Sequence, residues 1–380
     1  MSSATIAPIW VVGCGAVGGV LGAHLTRSAS QGEPGSGEDL RPWLVCRPGS
    51  HLDAIRAQGG LRVRGPDYEG VVPVRVAAGV AEVPGAPGTV LLAVKAGDVE
   101  AACRELVPRL EPRSMVVSLQ NGLCEERIAA VVGRERTIGA IVGWGATLAR
   151  PGEVVQTSRG HTTIGELDGT VTPRLRALEA LLEVVEPVRV STNILGALWT
   201  KLIINSATST LGAVTGLTLG EMLSKPVVRW VARHLVAESV RVADAEGIRL
   251  EPFGGRVDLR RVAWRAGGGI GAWWHNLAGG AALRLAANRY RGLRSVMLQD
   301  LDRGRRTEVD DFNGVLVARG AARGVPTPLN AALVEMVHEI ERGERQSRIE
   351  NVGPLLALID ARGGRGRAAA HVSGGGPHVG

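Results

Sequence analysis

The stretch Gly13-Cys14-Gly15-Ala16-Val17-Gly18 constrains the fold more than any other part of the chain, because an apolar run over residues 9–12 leads into it and a helical pattern over residues 20–25 leads out. Strand, glycine turn and helix in that order open a parallel α/β sheet that binds a dinucleotide. The first glycine permits the tight turn, the second lets backbone approach a pyrophosphate, and the third lets the helix lie close to the strand with its N-terminus aimed at the phosphates. A chain with 53 glycines offers many glycine turns, so position rather than composition carries this reading. It nominates Gly13, Cys14, Gly15, Ala16, Val17 and Gly18 as a cofactor cradle.

Further apolar runs at 43–46, 90–94, 115–119 and 138–142 alternate with amphipathic stretches and predict buried strands of the same sheet. The expected first domain is therefore a doubly wound, mostly parallel Rossmann sheet over residues 1–191, interrupted by a polar loop at 28–39. After Thr192 the strand signal fades, and helices are predicted over 194–223, 227–246, 293–323 and 329–342. This gives an all-α second domain over 192–345 and a C-terminal tail over 346–380, with disorder expected from about residue 363, where Gly and Arg dominate.

Several classes are disfavoured. No apolar run approaches the roughly 20 residues of a membrane span, and no secretory leader is recognisable, so a cytoplasmic protein is expected. Cys14, Cys46, Cys103 and Cys124 are scattered, with no zinc-like Cys/His spacing, which predicts neither a metal site nor a disulfide framework. The formal charge of +7 comes from dispersed arginines rather than a basic block, so nucleic acid is not an expected partner.

In open α/β sheets, ligands sit beyond the carboxyl ends of the strands. An acidic residue at the end of the second strand would bind the ribose hydroxyls of NAD; here stands Arg47, with Ser50 beyond it, a pair suited to the 2′-phosphate of NADPH. Val94-Lys95-Ala96 follows one strand and Gln120-Asn121-Gly122 the next. Only Lys95, Lys201 and Lys225 are lysine in a chain rich in arginine. Surviving lysines are candidates for proton donation, which a guanidinium performs poorly. Lys201, Asn205 and Ser209 recur every four residues, on one face of a predicted helix. Glu308 falls on the predicted helix 293–323, with Asn313-Gly314 one turn further on.

Together these motifs resemble the ketopantoate reductase family, also called 2-dehydropantoate 2-reductases, over residues 9 to about 341. The resemblance runs through G-x-G-x-x-G-x-x-x-G at Gly13 to Gly22, V-K-A at Val94, Q-N-G at Gln120 and K-L-x-x-N at Lys201. It continues through M-L-Q-D at Met297, R-x-T-E-V-D at Arg305 and N-G at Asn313. It implies NADPH-dependent reduction of a small carbonyl substrate; a homodimer is a candidate assembly, which the sequence leaves open. Lys201 would be the general acid and Glu308 the carboxylate that contacts substrate or orients the lysine. Asn121 would sit by the nicotinamide ribose, Lys95 would line the cofactor and substrate cleft, and Asn205 would bind substrate.

Two positions depart from the family pattern. Ser209 replaces a second asparagine, and Val296 replaces the serine before M-L-Q-D. Both are expected to touch substrate, and losing a polar contact shifts selectivity strongly. The segment carrying Gly267-Gly268-Gly269 and Trp273-Trp274 is also unusual. Three readings stay open: reduction of a ketopantoate-like 2-oxo acid, a pathway-specific ketone or imine reductase with a remodelled pocket, and an NADPH-sensing protein without turnover.

Overall fold

A computed structural model of the chain describes residues 6–31, 40–254, 257–266, 270–286 and 291–361. The chain divides into two compact units, Met1–Leu198 and Trp199–Gly380.

The first unit carries β1 (Ile9–Val12), β2 (Trp43–Val45), β3 (Leu61–Arg64), β4 (Glu69–Val72), β5 (Arg75–Ala77), β6 (Thr89–Leu92), β7 (Met115–Ser118), β8 (Thr137–Val142), β9 (Gly145–Arg150), β10 (Glu153–Ser158), β11 (Thr162–Glu166) and β12 (Val188–Val190). Each of the five apolar runs forms a strand. They lie side by side in a sheet of order β12-β11-β8-β7-β6-β1-β2-β5, parallel except where β11 runs against β8. β1 explains why such runs are apolar throughout: Ile9 and Val11 enter the core on one face, while Trp10 and Val12 enter the core on the other. Burial on both faces removes the alternation that a one-sided sheet would show.

A second sheet, β4-β3-β10-β9, was not expected from sequence. β3 and β4 are only four residues long and, like β9, carry arginine or glycine, so they resemble loops. Helix α1 (Ala16–Gln31) lies between the two sheets, and its glycines make this possible. A methyl group on Gly22 would lie 2.8 Å from Leu44 of the main sheet, and one on Gly19 would lie 2.9 Å from Val154 of the small sheet. Glycine costs a helix about 1 kcal/mol relative to alanine, a loss accepted here for contact on both sides. α1 continues through Ser28 to Gln31, where a loop was expected; the rest of that expected loop, residues 32–39, lies outside the described residues. Helices α2 (Ser50–Ala57), α3 (Val99–Leu106), α4 (Glu125–Val132) and α5 (Pro173–Leu182) complete the unit.

Helix α6 (Ile194–Thr215) leads into the helical unit. There follow α7 (Leu219–Ser224), α8 (Pro226–Ala245), α9 (Leu259–Val262), α10 (Ile270–Ala286), α11 (Val296–Asp302), a π-helical turn over Asp310–Gly314, α12 (Val315–Ala322), α13 (Pro328–Glu341) and α14 (Val352–Ile359). Two predicted long helices are broken. The first ends at Gly216, which takes φ +72°, and α7 restarts with a Thr218/Glu221 capping box. The second breaks at Gly304, at φ +62°, so Glu308 stands in the bend before the π turn rather than within a continuous helix. Past Glu341, Val352, Leu355 and Ile359 of α14 are buried, and Asn351 Nδ2 donates to Val214 O at the end of α6. The helical unit thus includes residues that the sequence reading left to the tail. The Gly/Arg-rich stretch from residue 363, the glycines at 267–269 and the side chains of Trp273 and Trp274 lie outside the described residues.

A buried polar chain joins four segments of this unit. Thr210 Oγ1 donates to Asn313 Oδ1 at 2.6 Å, and Asn313 Nδ2 donates to Ser206 O and to Asn330 Oδ1. Asn330 in turn donates, from both its backbone and side-chain nitrogens, to the fully buried carboxylate of Glu238 on α8. Most buried polar groups are paired in this way.

In the same unit, Trp230, His234 and Trp264 cluster with ring centroids 4.1–5.0 Å apart, His234 stacked on Trp264 and Trp230 tilted against both, and His234 Nδ1 donates to Trp230 O. Burial among these rings holds the imidazole neutral, lowering its pKa to about 4 from the usual 6.5. The unfolded chain binds this proton first as pH falls, so stability present above 6.5 is lost progressively toward pH 4. The expected loss is about 2–3 kcal/mol. Urea unfolding at pH 7.5 and pH 4.5 measures it, and His234→Gln should remove this part of the difference.

Candidate active site

The order of the main sheet reverses at β1, with β2 on one side and β6 on the other, and the glycine turn leaves β1 at this point. Gly13 N donates to Val45 O and Ala93 N to Val12 O, tying the turn to both neighbouring strands. Gly13 has φ +102°, and a methyl group there would lie 2.7 Å from the Ala93 carbonyl carbon. On Gly18 it would strike the carbonyl oxygen of Gly13. On Gly15 it would meet no atom within 4 Å. Two of the three glycines therefore serve the fold, while the third presents bare backbone to open space, as a site for a pyrophosphate requires. Ala16 and Val17 follow in the first turn of α1, where helix N–H groups precede the intrahelical ladder. Cys14 is buried.

The other predicted residues of this unit stand on adjacent strand ends. Arg47, beyond β2, has a side chain 86% exposed and reaches Asp98 at 3.3 Å. An exposed pair of this kind contributes about 0–1 kcal/mol, so Arg47 can exchange Asp98 for another anion at little cost. Ser50 opens α2, also exposed, after Gly49. Lys95 is exposed beyond β6, and Asn121 is half-buried beyond β7.

Between these last two stands a residue whose part was not foreseen. Buried Gln120 donates from Nε2 to Leu92 O at 2.8 Å and Val94 O at 3.1 Å, and it accepts from Ser118 Oγ. It joins the end of β6, which carries Lys95, to the end of β7, which carries Asn121. Its appearance inside a quoted motif was the available signal. The fold also gathers Cys14, Cys46 and His51, whose sulfurs and one imidazole nitrogen lie within 4.8 Å of one another. Residue spacing gave no hint of this, since the three come from the turn after β1, the position after β2 and the start of α2.

In the helical unit, Lys201 and Asn205 are half-buried on α6 and Ser209 is buried. Ser295 Oγ donates to Ser209 O at 3.0 Å and caps α11 by accepting from Leu298 N at 3.2 Å. Val296, at the start of α11, is 52% exposed. Ahead of Glu308, the Glu341 carboxylate accepts from both the backbone and the hydroxyl of Thr307 at 2.8 Å, fixing the bend in which Glu308 stands half-buried. Asn313 holds the buried chain already described.

Comparison with known proteins covers the same two units. Residues 9–169 match the family model described as ketopantoate reductase PanE/ApbA, and residues 193–341 match its C-terminal model. The 2-dehydropantoate 2-reductase of Archaeoglobus fulgidus is 28% identical over 88% of this chain and 98% of its own length, and that of Mesorhizobium japonicum is 29% identical with the same coverage. A crystal structure of a PanE/ApbA family ketopantoate reductase from Ralstonia eutropha superposes with TM-score 0.72 at 30% identity, covering 89% of this chain and 99% of that one. The ternary structure of D-mandelate dehydrogenase with NADH and anilino(oxo)acetate, 23% identical with TM-score 0.71, shares the fold; it covers 88% of this chain and 98% of its own.

The unequal surroundings of the glycines separate folding from binding. Gly18→Ala should destabilise the protein by about 1–3 kcal/mol, the usual cost of overpacking. Gly15→Ala should leave the thermal midpoint unchanged and weaken dinucleotide binding. Thermal unfolding and nucleotide titration of both variants provide the check.

Proposed function

Because the chain belongs to the ketopantoate reductase family, we propose that it reduces a 2-oxo acid to the alcohol, with NADPH as the preferred cofactor. The observation that carries this reading is the set of adjacent strand ends bearing the open backbone of Gly15, the exposed Arg47, and Lys95 and Asn121 on ends joined through Gln120. The nicotinamide, when bound, supplies a hydride. Helix N–H groups after Gly15 and the guanidinium of Arg47 bind the phosphates, the latter favouring a 2′-phosphate over bare ribose hydroxyls. Asn121 orients the ribose and substrate side, and Lys95 lines the cleft.

Lys201 donates the proton at the carbonyl oxygen. An ammonium has a proton to give at neutral pH, and its donation lowers the barrier at the developing alkoxide. Asn205, one helical turn further on, binds substrate, and Glu308 contacts substrate or orients the lysine. A second reading, a pocket remodelled for a larger or less polar carbonyl compound, is favoured by one detail. Val296 supplies no hydroxyl, and that of neighbouring Ser295 is already engaged by Ser209 O and Leu298 N. A larger apolar 2-oxo acid should then give a higher kcat/KM than ketopantoate in a substrate screen.

Lys201→Ala should lower kcat by roughly 10²–10⁴-fold, as for loss of a general acid, with NADPH affinity nearly intact. Lys201→Arg should restore little, because a guanidinium keeps the charge but releases no proton at neutral pH. Arg47→Ala should narrow the preference for NADPH over NADH. Steady-state kinetics and fluorescence titration with both nucleotides measure these outcomes; near-normal turnover in Lys201→Ala would remove lysine from the role.

A further inference from the structure

Cys14 occupies the middle of the glycine turn and Cys46 follows β2 directly, next to Arg47, so the two thiols lie beneath the surface proposed to hold the dinucleotide. They are 32 positions apart in sequence, yet their sulfurs lie within 4.8 Å of each other, alongside His51. Both are free thiols in the structure. We propose that Cys14 and Cys46 form a reversible disulfide, a modification site through which a small hydroperoxide closes the cofactor cradle. The closure, though not the bond, rests on the nicotinamide reading given above.

Three observations support thiol chemistry at this pair. The S–H of Cys14 donates to Cys46 and, together with Arg56 and Arg47, stabilises a Cys46 thiolate against burial, while the same hydrogen bond and burial keep Cys14 protonated. One thiol is thus the nucleophile and the other the resolving partner. Cys103 differs: burial pushes its pKa up to about 11, leaving it unreactive. Thirdly, His51 Nδ1 accepts the Gly152 N–H at 2.9 Å, so the neutral ring carries its proton on Nε2. A metal on that nitrogen would have to displace this proton, which makes the Cys-Cys-His group a poorer metal site than a thiol pair.

The step balances. Cys46 releases its proton and attacks the peroxide oxygen as the thiolate; the O–O bond breaks, giving a sulfenic acid at Cys46 and a hydroxide that takes up the released proton as water. Cys14 sulfur then attacks the Cys46 sulfur and expels hydroxide, which leaves as water with the Cys14 proton. Two thiols are oxidised by two electrons and one peroxide is reduced to two waters. An S–S bond of about 2.05 Å is far shorter than the van der Waals separation of two sulfurs. The bond would pull the Cys14 turn toward Cys46, and the turn has little room to follow, because Gly13 abuts Ala93 and Val94, and Gly18 abuts Gly13. Gly15 and Arg47 therefore lose the relation that binds phosphate. By linkage, bound nucleotide must oppose the bond by the same factor.

Reduced full-length protein is treated with hydrogen peroxide, with and without saturating NADPH, and examined by intact mass, peptide mapping and NADPH titration. The expected result is loss of two hydrogens per chain, a Cys14–Cys46 linked peptide, NADPH affinity weakened at least about tenfold, recovery with dithiothreitol, and slower oxidation when NADPH is present. Cys46→Ala should bind NADPH as the parent does and keep that affinity after peroxide. Absence of the linked peptide, or a Cys103–Cys124 link in its place, overturns the proposal; a Cys14–Cys46 link with unchanged NADPH affinity overturns the closure. If the reduced protein binds neither NADPH nor NADH, the cofactor reading fails while the mass measurement still decides the bond.

Discussion

The close approach of α1 to the strands around it is the constraint on which the first unit depends. The helix is held at backbone contact with the β1 turn through Gly18, against β2 through Gly22, and against the second sheet through Gly19. Side chains at these positions would hold the layers apart by the thickness of a methyl group or more, in an interior with close to crystalline packing density. The same proximity brings the helix N-terminus to the switch point of the sheet, so the interaction that closes the core also makes the anion site. Folding and binding are coupled at Gly13 and Gly18, and separate only at Gly15.

The helical unit solves a different problem. Its helices carry apolar faces that could settle in several registers, and the buried chain from Thr210 through Asn313 and Asn330 to Glu238 allows one. Leaving any of these groups unpaired in a dry interior would cost about 1–3 kcal/mol. The carboxylate of Glu238 also meets the first N–H groups of α13, where a negative charge is favoured by the helix dipole.

The fold of the main sheet was legible because each buried strand is an unbroken apolar run and the glycine turn follows the first of them. The small sheet was not: β3 alternates Leu61 and Val63 with arginines over only four residues, a pattern too short to separate from a loop. Helices in the second unit were visible by period, but their breaks depended on single glycines at positive φ, Gly216 and Gly304, and glycine occurs 53 times in this chain. Among candidate site residues, Gly15, Arg47, Lys95 and Asn121 stand at adjacent strand ends and Lys201, Asn205 and Ser209 on α6, whereas Glu308 stands in a bend and Val296 opens α11. What sequence could not supply were groupings made by tertiary contact, such as Gln120 bridging two strand ends and Cys14 meeting Cys46 and His51. Nothing in their linear spacing encodes that proximity.

The two residues of α6 that join the buried chain, Ser206 and Thr210, are each one position beyond Asn205 and Ser209. One residue of an α-helix is about 100° of rotation, so these bonds index the angular phase of the helix, and with it the direction in which Lys201 and Asn205 point. A single-residue insertion between 201 and 206 would turn the lysine out of phase even if the segment stayed fully helical. The same insertion after Gly216, where the helix has ended, would be absorbed by the turn. Tolerance to length change along this chain should therefore be discontinuous, falling abruptly on the N-terminal side of residue 206 and recovering within a dozen positions.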